Sequence, residues 1–223
     1  MFSTEKVSGS RVLGEWETRL RVYPQTGQYP FLIGDAEQLE GLKESQGLDR
    51  RSVARVLSAA KGFDQERWIA IRRADAIDCG VSMHEVLGTW PSERGSCGEV
   101  SLHRDRLSGQ VKDEVYLGMA TIDEPWHLPA VLKFGGWNDC PNPEVHCAFH
   151  QQWFTEFGAR IVGMSGDVVE CVVQSPPRDR ETAARVGMAA VLVLRPISSI
   201  GVVGRSVNLP PPCSMRYWFF WWD

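Results

Sequence analysis

No two cysteines in this 223-residue chain stand at Cys-x-x-Cys spacing; the six are scattered at positions 79, 97, 140, 147, 171 and 213. That pattern is neither a disulfide framework nor a zinc ligand set, and it fits free thiols in a reducing compartment. Met1 to Ser10 is polar and has no apolar signal core. No apolar run reaches the length of a membrane span. Positive charge is not in excess. The net charge is -4, and the arginines at 50, 51, 55, 72 and 73 are spaced as a solvated face rather than a phosphate track. Usable Gly-x-Gly-x-x-Gly, phosphate-loop and Gly-x-Ser-x-Gly motifs are missing; Gly163-Met164-Ser165-Gly166 belongs to a hairpin turn, which sets Ser165 aside as a nucleophile. There is no internal repeat. These absences exclude a nucleic-acid groove as the main surface, a membrane partner and a recognisable cofactor site. The expectation is a soluble, cytoplasmic protein with no assigned cofactor.

What is present is ordinary globular material, 43% hydrophobic and 23% charged, enough for one large domain or two small lobes. One stretch organises the rest: Phe134-Gly135-Gly136-Trp137-Asn138-Asp139-Cys140-Pro141. Two glycines permit backbone angles that other residues resist. Trp137 brings a large ring with one N–H donor. Asn138, Asp139 and Cys140 set an amide, a carboxylate and a thiol side by side. Asn142-Pro143-Glu144 then reads as the N-cap and acidic first turn of a helix, whose free N–H groups favour an anion. The plainer role of Asn138 and Asp139 is to cap this turn.

Taken in order, residues 1–13 read as loosely ordered. Trp16, Leu20 and Tyr23 share one face of a short helix before Pro24, and Tyr29 to Ile33 reads as a strand ending at Gly34-Asp35. Residues 36–45 and 50–61 read as helices, Arg67 to Arg72 as a strand, and 73–113 mostly as a loop or lobe boundary with a short helix at 82–87. Glu114 to Ile122 and Leu128 to Phe134 read as strands. The helix from Pro143 to Phe157 carries Val145, Phe149, Trp153 and Phe157 as an apolar stripe, stopped by Gly158. Residues 160–164 and 168–173 form a hairpin, a helix starts near Asp179, and Tyr217 to Trp222 has the look of a strand buried on both faces. From 128 onward this is βαββαβ, the ferredoxin-like order, an antiparallel sheet with helices on one face. The expected class is α+β, with a smaller N-terminal α/β lobe over 1–110 and a C-terminal domain over 111–223.

Several of these residues carry a family resemblance. Phe134 to Pro141, Val162-Gly163-Met164-Ser165-Gly166-Asp167, Pro176-Pro177 and the closing Trp218-Phe219-Phe220-Trp221-Trp222-Asp223 resemble the bacterial domain-of-unknown-function family 4253. The likeness covers 126–180 and 216–223 well, and Thr26 to Pro30 weakly. It implies a bacterial protein with an α+β C-terminal domain and no nameable activity.

Residues 188–215 depart from that family's pattern. Relatives continue the second helix into an aromatic segment, an Asp-Ile-Val-Asp-like segment and a helix rich in alanine and leucine. Codons exist for Met188 to Leu194 that, read one base later, give Trp-Gln-Gln-Tyr-Trp-Tyr-Cys. Codons for Pro196 to Ile200, read two bases later, give Asp-Ile-Val-Asp; those for Asn208 to Met215, also two bases later, give Ser-Ala-Ala-Ala-Leu-Leu-Asp. The stretch is therefore read as an out-of-frame translation, restored before Tyr217 by three single-base slips of one sign. Sequencing the gene tests this: the codons are expected to permit all three readings, and codons that forbid them end the idea. Pro196 and Pro210 to Pro212 cannot continue a helix, so 195–215 is expected to be irregular.

The candidate site is assembled from Trp137, Asn138, Asp139 and Cys140, with Trp218, Trp222 and Asp223 of the tryptophan-rich tail beside them. Aromatic rings favour interfaces and pockets, and Asp223 ends the chain with a side-chain and a terminal carboxylate. Cys140 near Asp139, with His127 or His146 in reach, has the parts of a thiol nucleophile but no identified oxyanion hole. His146 and His150, four apart, face one side of a helix; no third ligand stands at a recognised spacing, so no metal is assigned. The functional expectation is a module that binds a protein or a small-molecule ligand. The alternative is an enzyme working through Asn138, Asp139 and Cys140.

Overall fold

The computed structural model describes residues 2–46, 49–80, 99–138, 140–194 and 216–222. It is a mixed α+β structure around one six-stranded sheet. The elements, in chain order, are β1 (Phe2–Ser8), α1 (Val12–Thr26), β2 (Gln28–Gly34), α2 (Ala36–Gln46), α3 (Val53–Lys61), α4 (Gln65–Asp78) and β3 (Glu114–Thr121). A 3-10 turn (Pro125–His127) leads into α5 (Leu128–Leu132), then α6 (Pro143–Phe157), β4 (Ala159–Met164), β5 (Val168–Val173), α7 (Arg180–Leu194) and β6 (Tyr217–Trp221).

The sheet order is β1-β3-β2-β4-β5-β6. All neighbours are antiparallel except β2 and β4, which run parallel with Leu32 beside Gly163. A strand, helix, strand, strand, helix, strand series does run through the C-terminal half, but it starts at β3 and its sheet order differs from the ferredoxin-like one. β2 lies between β3 and β4, and β6 sits beside β5 at an edge. The reason is burial. Tyr29 to Gly34 is buried on both faces, which only a central strand achieves. The sheet thus runs continuously through strands from both sides of residue 110.

Both faces are covered. On one, Tyr29, Phe31 and Ile33 meet Phe149 and Trp153 of α6, Leu39 and Leu42 of α2 and Val186 of α7. On the other, Leu32, Leu117 and Val162 meet Val12 and Trp16 of α1, together with Val100 and Leu102. Trp16 also donates its indole N–H to the Pro30 carbonyl at 3.0 Å. A third layer stacks Val56 and Ala60 of α3 on Trp126, Ala130 and Cys147.

Four local expectations are corrected. Leu128 to Phe134 is not a strand: Leu128–Leu132 is a short helix ended by Lys133 at φ 57°. A short, wholly apolar run suits a buried strand or a buried helix equally, and here it is wedged between the sheet and α3. Arg67 to Arg72 lies inside α4, whose start is marked by the Asp64 side chain accepting from the Arg67 N–H at 2.9 Å. The N-terminal residues form β1, paired with β3 from Phe2–Ala120 to Ser8–Glu114. Helix α1 continues through Pro24 to Thr26, because the Gly27 N–H still closes the last turn on Tyr23. By contrast, α6 runs from Pro143 to Phe157 as the apolar stripe predicts, and the β4–β5 hairpin is in place. The helix expected at 82–87 and the stretch 195–215 lie outside the described residues. Among the described residues, no helix is long and apolar enough to cross a membrane.

Candidate functional site

The glycine-hinged loop is a closed knot. Gly135 and Gly136 sit at φ 99° and 82°, and the Gly136 N–H points to the carbonyls of Cys140 (3.1 Å) and Pro141 (3.0 Å). A Cβ on Gly135 would lie 1.9 Å from the Pro141 oxygen, so no other residue fits. Cys140 closes the turn by donating its N–H to Trp137 at 2.9 Å. Asn142 is the N-cap of α6 by position, though its side chain makes no capping bond. The acidic first turn is already engaged: Arg51 grips both oxygens of Glu144, at 3.0 and 2.6 Å, and also holds Asp49.

Inside the knot the chemistry is quiet. Cys140 is only 4% exposed, with its sulfur 3.5 Å from His146 Nε2. Burial pushes the thiol well up, and burial, with His150 nearby, pushes His146 well below its ordinary range. The pair is therefore a neutral thiol beside a neutral imidazole. His150 stacks parallel to His146 and meets a different sulfur, Cys171, at 3.8 Å. Among the described residues, no three His, Cys, Asp or Glu side chains gather closely enough to hold a metal.

The tail does come to the loop. Trp222 is 1% exposed, its ring 5.3 Å from Phe134 and 5.1 Å from His146. Trp218 is half-buried against Trp153 and Phe157. So the expected site divides. Cys140 and Trp222 are core, Trp218 packs on the core, and Asn138 is exposed in the left-handed region at φ 46°. Asp139 and Asp223 lie outside the described residues. The expectation that Tyr217 to Trp222 is buried on both faces is also corrected: Phe219 and Trp221 are exposed, and among the described residues β6 is an edge strand.

Of the expected residues that are described, Trp137 lines a cleft. The cleft holds about 760 Å³ and is lined by Trp137 together with Asp35, Glu37, Gln38, Glu44, Ser45, Asp105, Arg106, Lys112, Asp167, Gly41 and Gly166. It lies where β2 and β4, the parallel pair, both end: Gly34 closes one with Asp35 behind it, and Gly166-Asp167 follows the other. Crevices outside the carboxyl ends of parallel neighbours are common ligand sites. Gly166 lets the β4–β5 turn rest on α2, since a Cβ there would meet Gly41 at 2.8 Å.

Asp35, Lys112, Arg106 and Asp167 of the cleft are tied down. Asp35 accepts from the Glu37 and Gln38 N–H groups, both at 3.1 Å, and pairs with Lys112 at 2.6 Å. Burial alone would raise its carboxyl, but the Lys112 and backbone hydrogen bonds outweigh it and hold the group below the usual carboxylate range. Lys112 also donates to Gln38 Oε1 at 2.8 Å. Asp167 accepts from Arg106 (3.2 Å), Ser165 (2.9 Å) and the Trp221 indole (2.9 Å). The residues alone mark Gly34-Asp35 as a strand end and Gly166-Asp167 as part of a hairpin turn. The missing signal was that the strands before them lie side by side.

Residues 116–223 match the family model described as Domain of unknown function (DUF4253). The resemblance thus holds over the C-terminal half, which supplies Trp137 and Asp167 to the cleft. Asp35, Arg106 and Lys112 come from outside the match. No curated protein and no solved structure matches the chain.

Proposed function

We propose that the chain is a binding module whose ligand enters the cleft at the ends of β2 and β4 with a cationic group. One observation carries this reading. Five carboxylates (Asp35, Glu37, Glu44, Asp105 and Asp167) face two cations, and both cations are already committed: Lys112 to Asp35 and Arg106 to Asp167. Among the described residues, Glu37 and Glu44 have no cationic partner in an ion pair. Trp137 adds an aromatic wall of the kind that attracts an ammonium or guanidinium. The thiol-enzyme alternative at Asn138, Asp139 and Cys140 has less support, because the sulfur is buried and its proton tightly held.

The test is a titration followed by thermal shift and tryptophan fluorescence. The probes are spermidine, arginine methyl ester and a lysine-rich peptide, with acetate and phosphate as controls. The cations are expected to bind saturably and more weakly as salt is added. Trp137→Ala and Glu44→Gln are expected to weaken binding by about tenfold each, whereas Cys140→Ala leaves it unchanged. Preference for the peptide over the two small amines would indicate a protein partner. Absence of saturable binding by any cation, or equal binding by the variants, rejects the reading.

A further inference from the structure

The cleft's two ion pairs are built differently. The Lys112 side chain is 16% exposed and is held twice, by Asp35 at 2.6 Å and by Gln38 Oε1 at 2.8 Å. The Arg106 side chain is 55% exposed. Among the described residues it makes one polar contact, from Nη2 to Asp167 Oδ2 at 3.2 Å. An exposed pair of that kind favours its closed form by a factor of about five at most. Arg106 stands at the tip of a small hairpin, where Arg104 and Val111 pair antiparallel. Lys112 and Asp105 donate their N–H groups to the His103 and Gln110 carbonyls, at 2.9 and 2.8 Å. The Asp105 side chain caps the turn by accepting from the Leu107 and Ser108 N–H groups. The root is pinned to the sheet, where the Ser101 N–H donates to the buried Glu170 at 2.8 Å. None of these bonds involves the Arg106 side chain, so its guanidinium can leave Asp167 while the hairpin stays.

Asp167 also keeps its place when Arg106 leaves. Its Oδ1 accepts from the Ser165 hydroxyl and its Oδ2 from the Trp221 indole, both at 2.9 Å. A carboxylate has about four acceptor positions. The two bonds fix its orientation, and the position of the Arg106 contact becomes free for another donor. What Asp167 already receives there is a guanidinium. Arg106 meets it through a single nitrogen, whereas a guanidinium not tethered to the hairpin can present two parallel N–H groups, the stronger arrangement. Trp137 lines the same cleft, and a planar guanidinium lies on an indole face better than an ammonium does.

We propose that Arg106 is the cleft's internal occupant, and that the ligand's cationic group is a guanidinium that takes its place on Asp167. This role rests on the cleft being a cation site, and it adds the head group and a contact within the chain that holds affinity down. Binding exchanges an exposed, single-nitrogen contact for a forked one beside an aromatic wall.

Titration of the full chain with arginine methyl ester and lysine methyl ester, followed by tryptophan fluorescence, tests this. The two esters carry the same charge at neutral pH and differ in the head group. The arginine ester is expected to bind about tenfold tighter. Arg106→Gln is expected to tighten the arginine ester by about three- to fivefold and the lysine ester by less than about twofold. Loss of a positive charge alone would help both esters alike. Asp167→Asn is expected to cancel the gain from Arg106→Gln. Because the hairpin is held by its backbone, Arg106→Gln keeps its circular dichroism and melting temperature. An Arg106→Gln chain that binds the arginine ester no tighter overturns the proposal, as does an equal gain for both esters or a gain that survives Asp167→Asn. If spermidine and the lysine-rich peptide still bind saturably in that case, the cation site stands and the guanidinium assignment alone falls. If no cation binds either chain, both fall. In a supporting result, tighter binding of a glycine-flanked arginine peptide than of the ester indicates a protein source, and weaker binding a small molecule.

Discussion

Trp222→Ala is expected to destabilise the fold by about 3–5 kcal/mol. The ring is among the largest fully buried side chains, and it joins three things: the glycine loop through Phe134, α6 through His146, and the β4–β5 turn through its own backbone bond to Asp167. The lower end of the range is favoured because the indole N–H has no acceptor among the described residues, so its removal also relieves an unpaired donor. Trp222→Phe keeps most of the apolar volume, so its cost is expected to stay below about 2 kcal/mol. Urea unfolding at neutral pH measures both. A second readout is local. With Trp222 gone, the loop loses its lid and Cys140 is expected to react with a thiol reagent well before global unfolding. A loss under about 1 kcal/mol would mean the tail is not part of the core.

Lowering the pH from 7 to 5 is expected to cost about 2 kcal/mol through His150, with His146 adding a loss of the same sign. Burial lowers both groups, His150 to about 3 and His146 well below its ordinary 6.5. The sign follows from linkage. Below 6.5 the unfolded chain takes up protons that the folded chain refuses, so stability is complete above 6.5 and is lost as the pH falls below it. The groups facing the two rings carry no charge that would neutralise an added one: Phe134, Trp222, Cys140 and the Pro141 carbonyl face His146, Trp153, Phe220 and Cys171 face His150, and the two rings face each other.

Glu170 acts with the opposite sign. Burial raises its carboxyl despite hydrogen bonds from Ser101, Tyr217 and the Leu102 N–H. The folded chain therefore holds that proton longer than the unfolded one. Its contribution is complete below 4.5 and is lost as the pH rises above that value. Glu170→Gln is thus expected to steepen the acid loss, and the paired His146→Leu, His150→Leu variant to abolish or reverse it. Equal urea midpoints for the unaltered chain at pH 5 and pH 7 would show that the histidines are not buried neutral groups.

Elements with long, one-sided patterns were legible from the residues. Helix α6 announced itself through Val145, Phe149, Trp153 and Phe157, its N-terminal proline and its closing glycine. The β4–β5 hairpin was marked by Ser165-Gly166-Asp167. Short runs were not legible. Leu128 to Phe134 offered no period to separate helix from strand, and in Arg67 to Arg72 an apparent alternation hid a helix that Asp64 caps. Of the candidate site, Trp137 was found because it follows the glycine hinge. Its partners Asp35, Lys112 and Asp167 were not found, because they come from three distant stretches that meet only at the end of the sheet.

The residues by themselves determined the class of the fold, the loop that must be glycine and the long helix behind it, since each rests on neighbours a few positions apart. Only the tertiary structure decided that β2 slips between β3 and β4, that Cys140 is sealed while Trp137 is open, and that two glycine–aspartate turns share one cleft. Which strands lie side by side is settled by matching whole apolar faces, and no local spacing records that match.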